Sequence, residues 1–150
     1  MLKNSYDHIY LAPHLDDVAL SCGDLIFQQT SANQSVLILT IMAGAPPAHW
    51  PFSPFAQHQH QQWGLSAAAA VAQRRQEDIN ACRLLDADYL HWDIYDCIYR
   101  HAPDGRPLYA TEEALFATVD PDDTPLQAAL TQRLQNLPPH KTLYAPLTIG

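Results

Sequence analysis

The chain has 150 residues, of which 47% are hydrophobic and 16% are charged, a composition typical of one globular domain with a substantial core. Eight basic residues against sixteen acidic ones give a formal net charge of −8, which excludes the basic surface of a general nucleic-acid or anionic-membrane binder. The longest apolar tract, Ala67–Ala72, is too short to cross a membrane. We therefore expect residues 1–150 to form a single domain.

Apolar patterns predict strands that alternate with helices along the chain. The predicted strands are His8–Ala12, Val36–Met42, Tyr89–Ile94 and Thr142–Ala145. The predicted helices are Val18–Thr30, Leu65–Leu85, a short helix from Thr111, and Leu126–Leu137. This alternation indicates an α/β fold with a mainly parallel sheet. Residues 43–63, rich in Pro, His, Gln and Trp, are predicted to form a long loop.

The cysteine and histidine contents bear on location and on metal chemistry. Cys22, Cys82 and Cys97 are odd in number and widely spaced, which favours reduced thiols and a cytoplasmic protein. Eight histidines make a metal site a hypothesis to test.

One junction between a strand and a helix concentrates groups that bind metals and move protons. His14, Asp16 and Asp17 follow Pro13 at the end of the first predicted strand, where ligands bind in open α/β sheets. Imidazole and carboxylate are ordinary zinc ligands, so His14 and Asp17 suit a divalent ion and Asp16 is left to take a proton from water. A structural alternative is that Asp16 caps the helix and His14 only packs.

The segment Pro13-His14-Leu15-Asp16-Asp17 resembles the P-H-x-D-D signature of the LmbE-like (PIG-L) family of zinc-dependent de-N-acetylases. The residues Val18–Gly23 resemble the first helix of that family. The segment from Arg74 to Leu85 resembles its R-x-x-E helix, and Asp96 follows a strand where the family has an Asp. The resemblance implies a Rossmann-like three-layer α/β/α fold.

The resemblance also implies the roles of these residues. His14 and Asp17 would be zinc ligands, Asp16 the general base, and Arg74 and Asp96 substrate contacts. The implied reaction is zinc-dependent hydrolysis of the acetamide of an N-acetylated amino sugar or sugar conjugate. Two alternatives stay open: Arg74 in an ion pair with Glu77 or Asp78, and Asp96 as a cap.

The chain departs from the family pattern in three places. Val18 stands where a Glu is frequent, and residues 43–47 lack the acidic residue that many members carry. The family's remaining zinc ligand lies in a late G-x-H-x-D-H-like motif, whereas this sequence stops at Gly150. We therefore expect the sequence to be the N-terminal portion of a longer domain, with its C-terminal part and third zinc ligand beyond Gly150, because catalytic zinc normally has three protein ligands.

The other histidines offer alternatives for that third ligand. His49, His58 and His60 follow the second strand and lie within reach of the same sheet edge, whereas His91 and His140 are expected to be structural and no partner is evident for His101. Residues 45–63 are expected to help form the rim of the substrate cleft. Their aromatic side chains either stack on a sugar or pack against the protein: Trp50, Phe52, Phe55 and Trp63.

Two hypotheses of function follow. The first is a zinc amidohydrolase acting on N-acetyl sugars, and the second is a non-catalytic descendant of the fold that binds metal or sugar. The chain contains no G-x-G-x-x-G, G-x-x-x-x-G-K-[ST] or G-x-S-x-G segment, so nucleotide binding and serine hydrolysis are weakly supported. The oligomeric state is left open, a homo-oligomer included.

Overall fold

The computed structural model describes residues 2–147. These residues fall into two compact groups: the first comprises residues 2–44, 71–94 and 138–147, and the second residues 45–70 and 95–137. The expectation that a metal-ligand motif follows Gly150 concerns a part of the protein outside the described residues. The single-domain organisation stays a prediction.

The first group is built on a four-stranded parallel sheet. Its strands are β1 (Tyr6–Ala12), β2 (Val36–Thr40), β3 (Asp88–His91) and β4 (His140–Tyr144), in the spatial order β3-β2-β1-β4. Helix α1 (Asp17–Ser31) connects β1 to β2, and α3 (Ala67–Leu84) precedes β3. All four strands are parallel, so their carboxyl ends lie at one edge, as the predicted α/β class requires.

The core of this group explains why the central strands read as continuous apolar runs. All five residues of β2 are buried, as expected of a strand covered on both faces. On one face Tyr10 and Ile38 pack with Ile26 of α1 and Cys82 of α3. Tyr10 also stacks on Tyr144 of β4, with ring centroids 4.2 Å apart, which connects the edge strand to the core.

The second group contains a helix that the sequence analysis missed. Residues 54–63, predicted as loop, form α2 (Pro54–Trp63). Ser53 accepts a hydrogen bond from the Ala56 N–H, Pro54 occupies the first turn, and Gly64 ends the helix with a φ of 66°. These are ordinary start and stop signals, so the prediction of one loop over 43–63 is wrong for its second half.

The remainder of the second group consists of short elements. They are a 3-10 turn at Cys97–Tyr99, α4 (Glu112–Leu115), a 3-10 turn at Pro121–Asp123, and α5 (Thr124–Gln135). Arg100 and Asp123 form a mostly buried ion pair, and the Tyr109 hydroxyl donates to Asp123 at 2.9 Å. These contacts hold the segment after β3 to the start of α5.

The cysteines are free, and no described helix has the length and apolarity needed to cross a membrane. Burial is the main cause that raises the pKa of Cys82 and of Cys97 to about 12. Both thiols are therefore protonated and weakly nucleophilic near neutral pH.

Two glycines make a matched test of backbone packing. A Cβ on Gly44 would lie 2.9 Å from backbone atoms of Asp93 and Ile94, whereas a Cβ on Gly23 in α1 would meet nothing within 4 Å. We expect Gly44→Ala to lower the free energy of unfolding by about 1–3 kcal/mol through overpacking. Gly23→Ala should raise it by about 0.5–1 kcal/mol, because alanine is the better helix former. Urea denaturation checks both, and equal effects of the two variants would contradict this account.

Asp7 makes the stability of the sheet depend on pH. Its carboxylate accepts from the N–H and the hydroxyl of Ser35 at 2.8 and 2.9 Å and pairs with Lys141 at 2.6 Å. The Lys141 interaction, followed by the bonds from Ser35, holds the pKa of Asp7 well below its usual range. A carboxyl whose pKa is lowered by folding stabilises the protein above its unfolded-state pKa and loses that contribution as the pH falls.

We therefore expect Asp7→Asn to lower the melting temperature at pH 7. The difference from the wild type should shrink steadily below about pH 4, where the unfolded-state carboxyl protonates. Thermal melts followed by circular dichroism from pH 7 to pH 2 measure this, with Asp104→Asn as a control at an exposed carboxylate of the second group. A constant difference across that range would show that the Asp7 charge is not the source of the stabilisation.

Candidate active site

The turn between β1 and α1 brings the three predicted site residues together. β1 ends at Ala12 and α1 begins at Asp17, with Asp16 at the N-cap. Asp16 has φ 76° and ψ −18°, in the left-handed region. Asp tolerates this region better than most residues do, although the conformation costs of order 1–3 kcal/mol and persists where surrounding contacts hold it.

His14 and Asp17 present two metal-binding atoms side by side. His14 Nδ1 lies 3.3 Å from Asp17 Oδ2, and the His14 backbone N–H donates to the same oxygen at 2.8 Å. Both side chains are a little over two-fifths exposed. The pair is thus fixed by the backbone yet open to solvent.

This arrangement fits a zinc ion in its donor chemistry and spacing. With ligand bonds of 2.0–2.2 Å, two ligands of a tetrahedral zinc are about 3.4 Å apart, close to the observed separation. Among residues 2–147, no group of three or more His, Cys, Asp or Glu side chains suited to holding a metal is formed. The described part of the chain therefore provides a pair of candidate ligands.

The Asp16 side chain does not act as a helix cap. No backbone N–H of α1 donates to its carboxylate, so the capping alternative does not describe this residue. Instead Oδ2 lies 3.7 Å from Arg74 Nη2, and Arg74 also donates to the Leu15 carbonyl at 3.3 Å. The interaction that the structure gives this carboxylate is therefore with Arg74 and not with the helix N–H groups.

Two opposing effects act on the proton affinity of Asp16. Burial raises the pKa of Asp16, and the neighbouring charges of Asp78, Glu77 and Asp17 raise it further, while the Arg74 guanidinium opposes them. A raised pKa makes a carboxylate a stronger base. Arg74 pairs with Asp16, and among the described residues no ion pair joins it to Glu77 or Asp78.

A buried carboxylate that the sequence analysis did not single out lies behind this turn. Asp78 of α3 accepts from the Asp16 N–H at Oδ1 (3.2 Å) and from His91 Nε2 at Oδ2 (2.7 Å). The side chains of Asp78 and His91 are each only 3% exposed. The Thr40 hydroxyl lies 3.5 Å from the same Oδ2.

The remaining predicted residues have local partners. Asp96 caps the 3-10 turn by accepting from the Ile98 N–H at 3.4 Å and lies 3.2 Å from the Cys97 sulfur, so its capping role is present. Its role as a substrate contact stays a prediction.

Four of the other histidines contact neighbouring side chains or carbonyls, and His49 is exposed. Their partners are the Tyr99 hydroxyl for His60 at 2.9 Å, Gln62 for His58 at 2.9 Å, the Pro51 carbonyl for His101 at 2.9 Å, and the Pro138 carbonyl for His140 at 2.8 Å. His101, for which no partner was evident in the sequence, thus has one. None of these contacts completes a three-residue metal group in the part of the chain that the structure describes.

The aromatic residues of segment 45–63 pack mainly within their own group. Trp50 donates its indole N–H to the Tyr99 carbonyl at 2.7 Å and meets Tyr95 edge-on. Phe52 meets His60 and Tyr99 edge-on. Packing therefore accounts for these two rings, whereas the place of the segment at a cleft rim stays a prediction.

The fold and this turn define an α/β protein with a candidate metal-binding pair and an adjacent carboxylate at the carboxyl end of its first strand. The family model described as PIG-L, GlcNAc-PI de-N-acetylase, matches residues 9–141. The chain belongs to this family.

Relatives of known sequence or structure agree with this assignment. The chain is 30% identical over 125 residues to 2'-N-acetylparomamine deacetylase of Niallia circulans, covering 77% of this chain and 45% of the relative. The zinc-inhibited form of teicoplanin deacetylase superposes with a TM-score of 0.71 and 37% identity, over 85% of this chain and 50% of that one. The A40926 pseudoaglycone deacetylase superposes with a TM-score of 0.56 and 31% identity, over 85% of this chain and 47% of that one. The chain spans about half the length of these relatives.

Proposed function

We propose that this chain carries the first metal ligands and the general base of a zinc-dependent de-N-acetylase that hydrolyses the acetamide of an N-acetylated amino sugar or sugar conjugate. The observation that carries the proposal is the separation of 3.3 Å between His14 Nδ1 and Asp17 Oδ2, with the Asp16 carboxylate in the same turn. Family membership and relatives named as deacetylases support the reaction class. The three free thiols suit a cytoplasmic location.

The roles of the residues follow from their chemistry. His14 and Asp17 would hold the zinc, which when bound supplies Lewis-acid activation of water and of the acetamide carbonyl. Asp16 would accept the proton of the attacking water on its carboxylate, because it lies in the same turn as the two ligands and a carboxylate is an ordinary general base. Arg74 keeps that carboxylate in place and, half exposed, has guanidinium N–H groups available to substrate oxygens. Asp96 is proposed as a second contact, through a sugar hydroxyl.

The metal pair can be tested by elemental analysis. We expect zinc to remain with the full-length protein after dialysis and to be lost from His14→Ala, because the imidazole is one of few donors available. His140→Ala is the matched control, since His140 is exposed at the start of β4. Equal zinc contents in His14→Ala and in the wild type would contradict the assignment of His14.

The general base can be tested by activity. Asp16→Asn should lower kcat for release of free amine from N-acetylglucosamine by about 10²–10⁴-fold, the usual contribution of a positioned base, while zinc content is unchanged. Asp24→Asn, which removes an exposed carboxylate from α1, is the control. Retention of activity by Asp16→Asn would refute the role of Asp16. A wild-type protein that binds zinc but hydrolyses no acetamide would support the alternative, a non-catalytic descendant of the fold.

A further inference from the structure

We propose that Asp78 is a positioning residue for Asp16: its buried carboxylate holds the Asp16 peptide in the left-handed conformation that sets the direction of the proposed base. This inference rests on the proposed function of Asp16. It concerns a residue on a different element, α3, whose side chain is almost completely buried and reaches the active-site turn from behind.

The backbone of Asp16 requires an external constraint. Its φ of 76° is unfavourable for a residue with a Cβ, and the residue does not cap the helix with its own side chain. The N–H of Asp16 donates to Asp78 Oδ1 at 3.2 Å, and an N–H bond to a carboxylate is stronger than one to a neutral acceptor. Asp78 thus fixes the peptide from which the Asp16 side chain projects.

Asp78 is itself held by the last residues of two strands. Thr40 is the last residue of β2 and His91 is the last residue of β3. In the sheet, Thr40 pairs with His91 on one side and with Ala12 of β1 on the other. Both side chains contact Asp78 Oδ2, His91 at 2.7 Å and Thr40 at 3.5 Å. The carboxylate therefore spans the distance between the rigid sheet and the turn.

The orientation of His91 is fixed in turn. Arg75 Nε donates to His91 Nδ1 at 3.3 Å, so His91 Nε2 is the ring nitrogen that donates to Asp78. An Asn at position 78 cannot serve both neighbours, because its amide offers one acceptor oxygen to two facing donors. With almost no change in volume, Asp78→Asn therefore loses either the bond to the Asp16 N–H itself or the bond to His91 that orients the side chain.

The test is a double-mutant cycle on the full-length protein, with N-acetylglucosamine as the probe and free amine as the readout. Asp78→Asn should lower kcat about 10–100-fold, as loss of a supporting hydrogen bond to an active-site residue commonly does. KM should stay within about twofold and zinc content unchanged. In the Asp16→Asn background the same substitution should change kcat less than about twofold, since Asp78 acts through Asp16. Asp86→Asn, at an exposed position just beyond α3, should leave kcat unchanged.

The outcomes separate the two proposals. If Asp16→Asn alone keeps its activity, the proposed function of Asp16 fails. If Asp16→Asn is inactive but Asp78→Asn is fully active, only the positioning role fails. The positioning role also fails alone if Asp78→Asn lowers kcat by the same factor in the wild type and in Asp16→Asn.

A second measurement on the wild type does not depend on the folding of any variant. The Asp16 amide should exchange its hydrogen much more slowly than an unstructured amide does, and exchange at the unstructured rate would overturn the inference.

Discussion

The turn between β1 and α1 depends on one buried group, the Asp78 carboxylate, which accepts hydrogen bonds from His91 on one side and from the Asp16 N–H on the other. Removing a carboxylate from water is costly unless its oxygens are bonded. Here each oxygen has a partner, and the two partners belong to the sheet and to the turn. A buried charge is a weak source of net stability, so the value of this arrangement lies in defining one geometry for the β1–α1 connection rather than in strengthening the fold.

Helix α3 supports the candidate site through three of its side chains. Arg74 pairs with the Asp16 carboxylate, Arg75 orients His91, and Asp78 holds the Asp16 peptide. The candidate metal ligands, by contrast, are organised by the turn itself, because the His14 N–H bonds to the Asp17 carboxylate. Ligand geometry is therefore local in sequence, while the geometry of the proposed base depends on residues brought from α3 and the sheet. Sites supported by rigid elements in this way are positioned more precisely than sites on isolated loops.

These two kinds of dependence explain what the sequence could and could not predict. β2 and α1 follow from apolar patterns, and His14, Asp16 and Asp17 are adjacent in the chain, so their proximity needed no tertiary information. The sequence suggested Asp78 only as an ion-pair partner of Arg74, whereas the buried side of α3 runs through Ala70, Asp78 and Cys82. A charged residue at a core position is invisible to a search for apolar periodicity. Helix α2 was missed for a different reason: its polar Gln and His residues hide it, although Ser53 and Gly64 mark its ends.

The strand order β3-β2-β1-β4 has a consequence for the chain as it is synthesised. One edge of β1 pairs with β2 as soon as α1 has formed, but the other edge waits for β4, at residues 140–144. After β2 is complete the ribosome must add residues 41–139 before β4, which takes roughly 5–20 s at ordinary rates of translation. During that interval a central, strongly apolar strand presents an unpaired edge, the feature that most readily recruits a strand from another chain. Until β4 emerges, this edge of β1 is therefore open to pairing with a strand of another molecule.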